Sequence, residues 1–148
     1  MRTLHTAPLL RREQDGEPVP DHGVLVDGDR VEEVGPFAEL TEAYAEVRVR
    51  RWPGTLGPGL LHDGPLPAAP TPRERVHALL RRGVTAVLVE HLAEPALRAA
   101  VGRSDLQVLA QAVTPTLLAG GRADLSVHDA DGTCLATVVA GRIAHRRA

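Results

Sequence analysis

The chain has 148 residues, is 43% hydrophobic and 24% charged, and carries a formal net charge of -2. Such a length fits one domain, or one with a small appendage, that folds without metal or disulfide staples and buries roughly two-thirds of its unfolded surface. The composition excludes a disordered or fibrous chain, and the slightly acidic balance supplies no field to hold a phosphate backbone, so nucleic acid is not an expected partner.

Near the start, Met1 to Leu10 contains no long apolar stretch, and nowhere do the roughly 18 apolar residues of a membrane span run together, so no membrane partner is expected. From Gly23 to Gly35 two short β-prone runs flank Asp27-Gly28, a favoured hairpin turn because glycine tolerates positive φ. Phe37, Leu40, Ala43 and Tyr44 then fall at helical spacing, and a strand is expected from Glu46 to Trp52. Between Pro53 and Pro72, six prolines and four glycines interrupt twenty residues, so most of that stretch reads as loop, with Gly59 to Leu61 available as a short strand.

Thr71-Pro72-Arg73-Glu74 combines a cap hydroxyl, a proline at the first helical position and a glutamate three residues after the cap, which predicts a helix start. Val76, Leu79 and Leu80 form its apolar stripe, and Gly83 ends it. Val84 to Val89 reads as a strand buried on both faces. Pro95 opens a second helix that Gly102 closes, with Leu97, Ala100 and Val101 inward, and Leu106 to Ala110 follows as a third apolar strand. The last quarter returns to β patterning, with Asp124 to Asp129 and Thr133 to Ala140 around Ala130-Asp131-Gly132, then a turn at Gly141-Arg142 into Ile143 to His145. With β-rich ends and an α/β middle, the ends form one sheet system only if the middle is an insertion between them.

That order is similar to the small β-rich domain of the amidohydrolase superfamily, in its imidazolonepropionase and aminodeoxyfutalosine deaminase branch. Three stretches carry the resemblance. Val24 to Gly35 looks like the opening hairpin, Leu56-Gly57-Pro58-Gly59-Leu60-Leu61 like the lead-in to the barrel, and Gly121 to Asp129 with Thr137 to Ile143 like the closing strands. The resemblance implies an α+β fold: a small β-sandwich made from N- and C-terminal strands, residues 1–58 and 115–148, with 59–114 as an inserted short βαβαβ remnant of a barrel. A barrel of this type takes roughly 250 residues, and only about 60 separate the lead-in from the closing motif. The family continues its lead-in as Asp/Asn-x-His-x-His, whose two imidazoles reach one metal. The corresponding histidine positions here are Gly64 and Leu66, neither of which offers a ligand atom.

Candidate site residues follow from position. His62 and Asp63 stand where the family places its metal motif, and Glu90-His91 follows the Val84 to Val89 strand. Ligand sites in parallel α/β structures lie at carboxyl ends of strands, so these four residues are the catalytic candidates, with His62 and His91 as candidate metal ligands. A carboxylate and an imidazole there serve as acid and base near neutral pH; the alternative is that polar residues simply mark where solvent begins.

Elsewhere the readings are structural. Cys134 is expected to be a packed core thiol, with a nucleophile as the alternative, and a lone cysteine fits a reducing, cytoplasmic setting. His128 is expected at the surface with Ser126, opposite Leu125 and Val127. His5, His22, His77 and His145 show no metal spacing. The pairs Arg11-Arg12, Arg50-Arg51, Arg81-Arg82 and Arg146-Arg147 read as solvated faces, with an anion patch as the alternative.

Three functions stay open at this point: a non-catalytic binding or interaction module, joining a protein partner or a second copy as a homodimer and needing no cofactor; a small hydrolase of non-peptide C–N bonds using zinc or iron; and an accessory subunit docking on a separate barrel. The sequence names no small-molecule ligand.

Overall fold

The structure, a computed structural model, describes residues 1–147. The expected hairpin forms from β3 (His22–Asp27) and β4 (Arg30–Pro36), joined by Gly28-Asp29 with Gly28 at φ +64°. Only the first loop position is left-handed, the arrangement that asks for glycine there. Helix α1 (Phe37–Ala43) follows directly and lays Leu40 against Leu4 and Leu25.

The hairpin pairs with a strand that the sequence reading did not foresee. β1 (Arg2–Thr6) runs antiparallel to β3 and parallel to β5 (Arg48–Arg51), giving a four-stranded sheet in the order β4-β3-β1-β5. Leu4, His5 and Thr6 are all buried, because α1 covers one face of this sheet and a second sheet covers the other.

That second sheet has the order β12-β11-β10-β6-β2. Its C-terminal part is a meander of β10 (Leu125–His128), β11 (Cys134–Val139) and β12 (Arg142–Arg146). Two short N-terminal strands complete it, β2 (Leu9–Leu10) and β6 (Thr55–Pro58), the latter antiparallel to β10. The two ends of the chain therefore meet across β6 and β10 and across a shared core. One apolar cluster draws Val24, Val26 and Val31 from the first sheet and Leu56, Leu125, Val127, Ala136 and Val138 from the second, with Trp52 beside them.

A third, wholly parallel sheet has the order β7-β8-β9, from β7 (Leu60–His62), β8 (Val84–Leu88) and β9 (Gln107–Leu109). Helices α2 (Pro72–Leu80) and α3 (Pro95–Arg103) connect these strands. Thr71 caps α2 as expected, its hydroxyl oxygen accepting from the Glu74 N–H at 3.2 Å. The Glu74 carboxylate accepts from the same hydroxyl rather than reaching back to the backbone. The helices pack Val76, Leu79, Leu97 and Val101 onto Val87 of β8. No closed barrel forms among the described residues.

Several element ends differ from the sequence reading. β8 is fully buried from Val84 to Leu88, but Val89 leaves the strand and is 50% exposed. Gly102 does not close α3, which runs one residue further before Asp105 reverses the chain at φ +65°. β9 is a three-residue edge, with Val108 44% exposed, because no strand among the described residues pairs beyond it.

Ser126 does not face solvent, and His128 does so only in part. Both sides of β10 are covered: Leu125 and Val127 point into the core between the two antiparallel sheets, while Ser126 is buried and His128 half-buried against the βα layer. The Ser126 hydroxyl donates to the Pro58 carbonyl at 2.8 Å, and His128 Nε2 lies 3.3 Å from the Arg82 carbonyl. Gly83, at φ +88°, is held against His128 and Ser126 so closely that a Cβ there would come within 2.9 Å of the imidazole. Thr137 adds a buried link, its hydroxyl donating to the Leu80 carbonyl at 2.6 Å. Period-2 alternation assigns faces correctly here; the added layer turns an outward face into an interface.

Candidate functional site

The carboxyl ends of β7 and β8 lie side by side because the two strands are parallel neighbours, with His62 opposite Val87. After β8 the chain makes one 3-10 turn, Val89–His91. In an extended strand Glu90 and His91 would point to opposite faces; the turn brings both toward the end of β7.

There they meet Asp63. His91 Nε2 stands 3.8 Å from Asp63 Oδ1 and 3.8 Å from Glu90 Oε1, beyond hydrogen-bond reach of either. One potential ligand atom from each of the three residues lies within 4.8 Å of the others. The imidazole is largely packed, its side chain 22% exposed, whereas the carboxylates of Asp63 and Glu90 are 64% and 66% exposed. The structure thus places three of the four sequence candidates, Asp63, Glu90 and His91, around one point. His62 stays out of the group: its Nε2 engages the Pro65 carbonyl at 2.9 Å and closes its own loop.

The positions that the amidohydrolase resemblance assigns to metal-binding histidines do not fit a metal. Gly64 has no side chain, and Leu66 is 3% exposed, packed in the cluster of α2, α3 and β8. An imidazole in place of Leu66 would sit in apolar surroundings under the helices.

A concavity away from these residues has no counterpart among the sequence expectations. A cleft of about 520 Å³ runs along the parallel sheet past Leu61, Thr85, Gln107 and Leu109, and is rimmed by Arg30, Val113, Leu118 and Arg122. Val113 and Leu118 are 59% and 62% exposed. Its lining comes from five separated stretches of chain, so no local motif could have announced it.

Three further titratable groups, Cys134, His5 and Asp124, have structural partners. Cys134 is 7% exposed, its Sγ lying 3.4 Å from the Ala136 carbonyl and from Thr137 Oγ1, and burial pushes its thiol up, away from the thiolate a nucleophile needs. His5 is 3% exposed, with Nδ1 accepting from the Trp52 indole N–H at 3.1 Å. Burial, reinforced by Arg50 and Arg48, lowers its pKa from 6.5 to about 4. Asp124 anchors the last turn by accepting from the Ala140 N–H at 2.8 Å, and its Oδ1 lies 3.1 Å from Arg122 Nε.

Among the described residues no helix is long and apolar enough to cross a membrane. Residues 23–46, which comprise the hairpin and α1, match the family model of the imidazolonepropionase-like composite domain of bacteria. No curated protein sequence matches the chain.

Solved structures match more widely. Helicobacter pylori aminofutalosine deaminase aligns with 73% of this chain and 32% of its own, at 19% identity and a TM-score of 0.58. Escherichia coli guanine deaminase aligns with 73% of this chain and 35% of its own, at 16% identity and 0.56. An adenosine deaminase from Xanthomonas campestris with bound zinc aligns with 72% and 33%, at 18% identity and 0.51. The chain spans about a third of the length of each of these proteins. The family match is confined to the hairpin and α1, and the likeness to these deaminases, at under 20% identity, is one of fold.

Proposed function

We propose that this protein is a non-catalytic composite-domain module that acts by binding a protein partner or a second copy of itself. The observation that carries the proposal is Leu66. Metal-assisted hydrolysis needs several ligands, a polarised water and a positioned base. At the two positions where the superfamily motif supplies imidazoles, this chain has a glycine and a leucine buried at 3% exposure in the helix–sheet core. A binding role is further supported by the cleft beside the edge strand β9: the central strand β8 is covered on both faces, but Leu61 and Leu109 border a cleft that carries the exposed Val113 and Leu118.

A second reading, a small hydrolase of non-peptide C–N bonds using zinc or iron, is favoured by one observation, the convergence of Asp63, Glu90 and His91 at the strand ends. Turnover assays separate the two readings. The purified 148-residue chain, with and without added zinc or iron(II), is tested for ammonia release from aminopurines and for ring opening of cyclic amides. The module reading expects no turnover above the metal-only rate; turnover that disappears in His91→Ala would replace it with the hydrolase reading. Sedimentation velocity over a range of concentrations then tells self-association from a requirement for another protein.

A further inference from the structure

We infer that Asp63, Glu90 and His91 form a binding site for one divalent transition-metal ion of the zinc class, separate from the histidine positions of the superfamily motif. The inference rests on the geometry of the three side chains and stands whether or not the chain turns over a substrate.

Two sides of the ligand triangle measure 3.8 Å, and the ligand atoms lie within 4.8 Å of one another. A point equidistant from three such atoms is about 2.5 Å or less from each, where zinc takes roughly 2.0–2.2 Å to imidazole nitrogen and carboxylate oxygen. Small rotations of the exposed Glu90 and Asp63 side chains close the difference. Neither carboxylate is within hydrogen-bond distance of His91 Nε2, so no hydrogen bond from them occupies that nitrogen.

One imidazole nitrogen and two carboxylates bring two negative charges to a divalent ion, and the nitrogen donor selects zinc, cobalt, nickel or copper over calcium and magnesium, which prefer all-oxygen shells. Three protein ligands leave a fourth tetrahedral position for water or an exogenous oxygen donor.

The ligands come from two adjacent strand ends. The 3-10 turn Val89–His91 allows neighbours in sequence to ligate together, and His91 is held by packing while the carboxylates remain accessible. His62 is excluded by its contact with the Pro65 carbonyl.

The test is zinc titration of the untagged 148-residue chain by calorimetry in a non-coordinating buffer, with cobalt(II) absorption as a spectroscopic check on coordination. The expected result is one zinc per chain, tetrahedral cobalt bands, and at least tenfold weaker binding in His91→Ala and in the Asp63→Asn, Glu90→Gln double variant. His62→Ala should bind like the parent. Far-UV circular dichroism checks folding; if His91→Ala is misfolded, His91→Gln and the exposed carboxylate variants decide. Failure of the parent to take up zinc overturns the inference, as does parental affinity in folded variants lacking these donors, which would place the ion elsewhere. The turnover assay above is read independently, so a metal-binding chain without activity and an active chain without this site are distinguishable.

Discussion

Acidification offers a sharp test of the core, because the only tryptophan reports on the histidine that titrates. His5 and Trp52 are 3% and 6% exposed, their ring planes are 4° apart, and the indole N–H donates to His5 Nδ1. That bond requires a neutral imidazole with its proton on Nε2. Protonation would place a second donor against the indole and a cation in a buried site already facing Arg50 and Arg48, the causes that hold the pKa near 4. An unfolded histidine takes up its proton near 6.5, so between about pH 6.5 and 4 the unfolded state binds more protons and stability falls as pH falls. At roughly 1.4 kcal/mol per pH unit the whole window corresponds to about 3 kcal/mol. His145 is lowered by burial and by Arg81 and acts in the same direction, whereas Asp124, raised by burial, offsets part of the loss at the acid end. His5→Gln keeps an acceptor for Trp52 and cannot ionise, so subtracting its behaviour removes those other groups. Urea unfolding followed by Trp52 fluorescence should show the parent losing about 2 kcal/mol more than His5→Gln between about pH 7 and pH 4.5. Parallel stability curves for the two proteins would refute the reasoning.

Three further outcomes probe the joints between layers. Thr137→Val removes the buried hydroxyl that ties β11 to the Leu80 carbonyl, and should cost about 1 kcal/mol while speeding amide exchange at the end of α2; unchanged exchange would mean that the layers are held by apolar packing alone. Gly59→Ala drives a methyl group into Thr85 and should destabilise by about 1–3 kcal/mol, with partial recovery in combination with Thr85→Ala. Equal stability of the single and double variants would rule out that contact as the cause. Thr71→Ala should lower stability by about 1 kcal/mol through loss of the α2 cap, measured by urea unfolding.

The candidate site was partly legible. Polar residues at the ends of adjacent parallel strands are visible in sequence once β8 is recognised, and Asp63, Glu90 and His91 do converge. That Asp63 joins while His62 turns away depends on the Pro65 carbonyl, and the shared direction of Glu90 and His91 depends on a 3-10 turn that no residue type in Val89-Glu90-His91 demands.

Features resting on near neighbours were determined by the sequence alone. The β3–β4 hairpin needs a glycine at a left-handed position, α2 needs a hydroxyl and proline at its start, and β8 needs five consecutive residues fit for burial. Tertiary structure decided the rest. β1 reads as polar in Arg2-Thr3-Leu4-His5-Thr6, yet His5 and Thr6 are buried because Trp52 and the His22 carbonyl give them hydrogen-bond partners. β6 contains Gly57 and Pro58, residues that ordinarily break strands, and is held by β10 on one side and β2 on the other. Ser126 and His128 lie on the face that alternation predicts, but a third layer covers it. Turn and cap preferences act over a few residues, whereas burial of a polar strand depends on partners tens of residues away, which local propensity does not register.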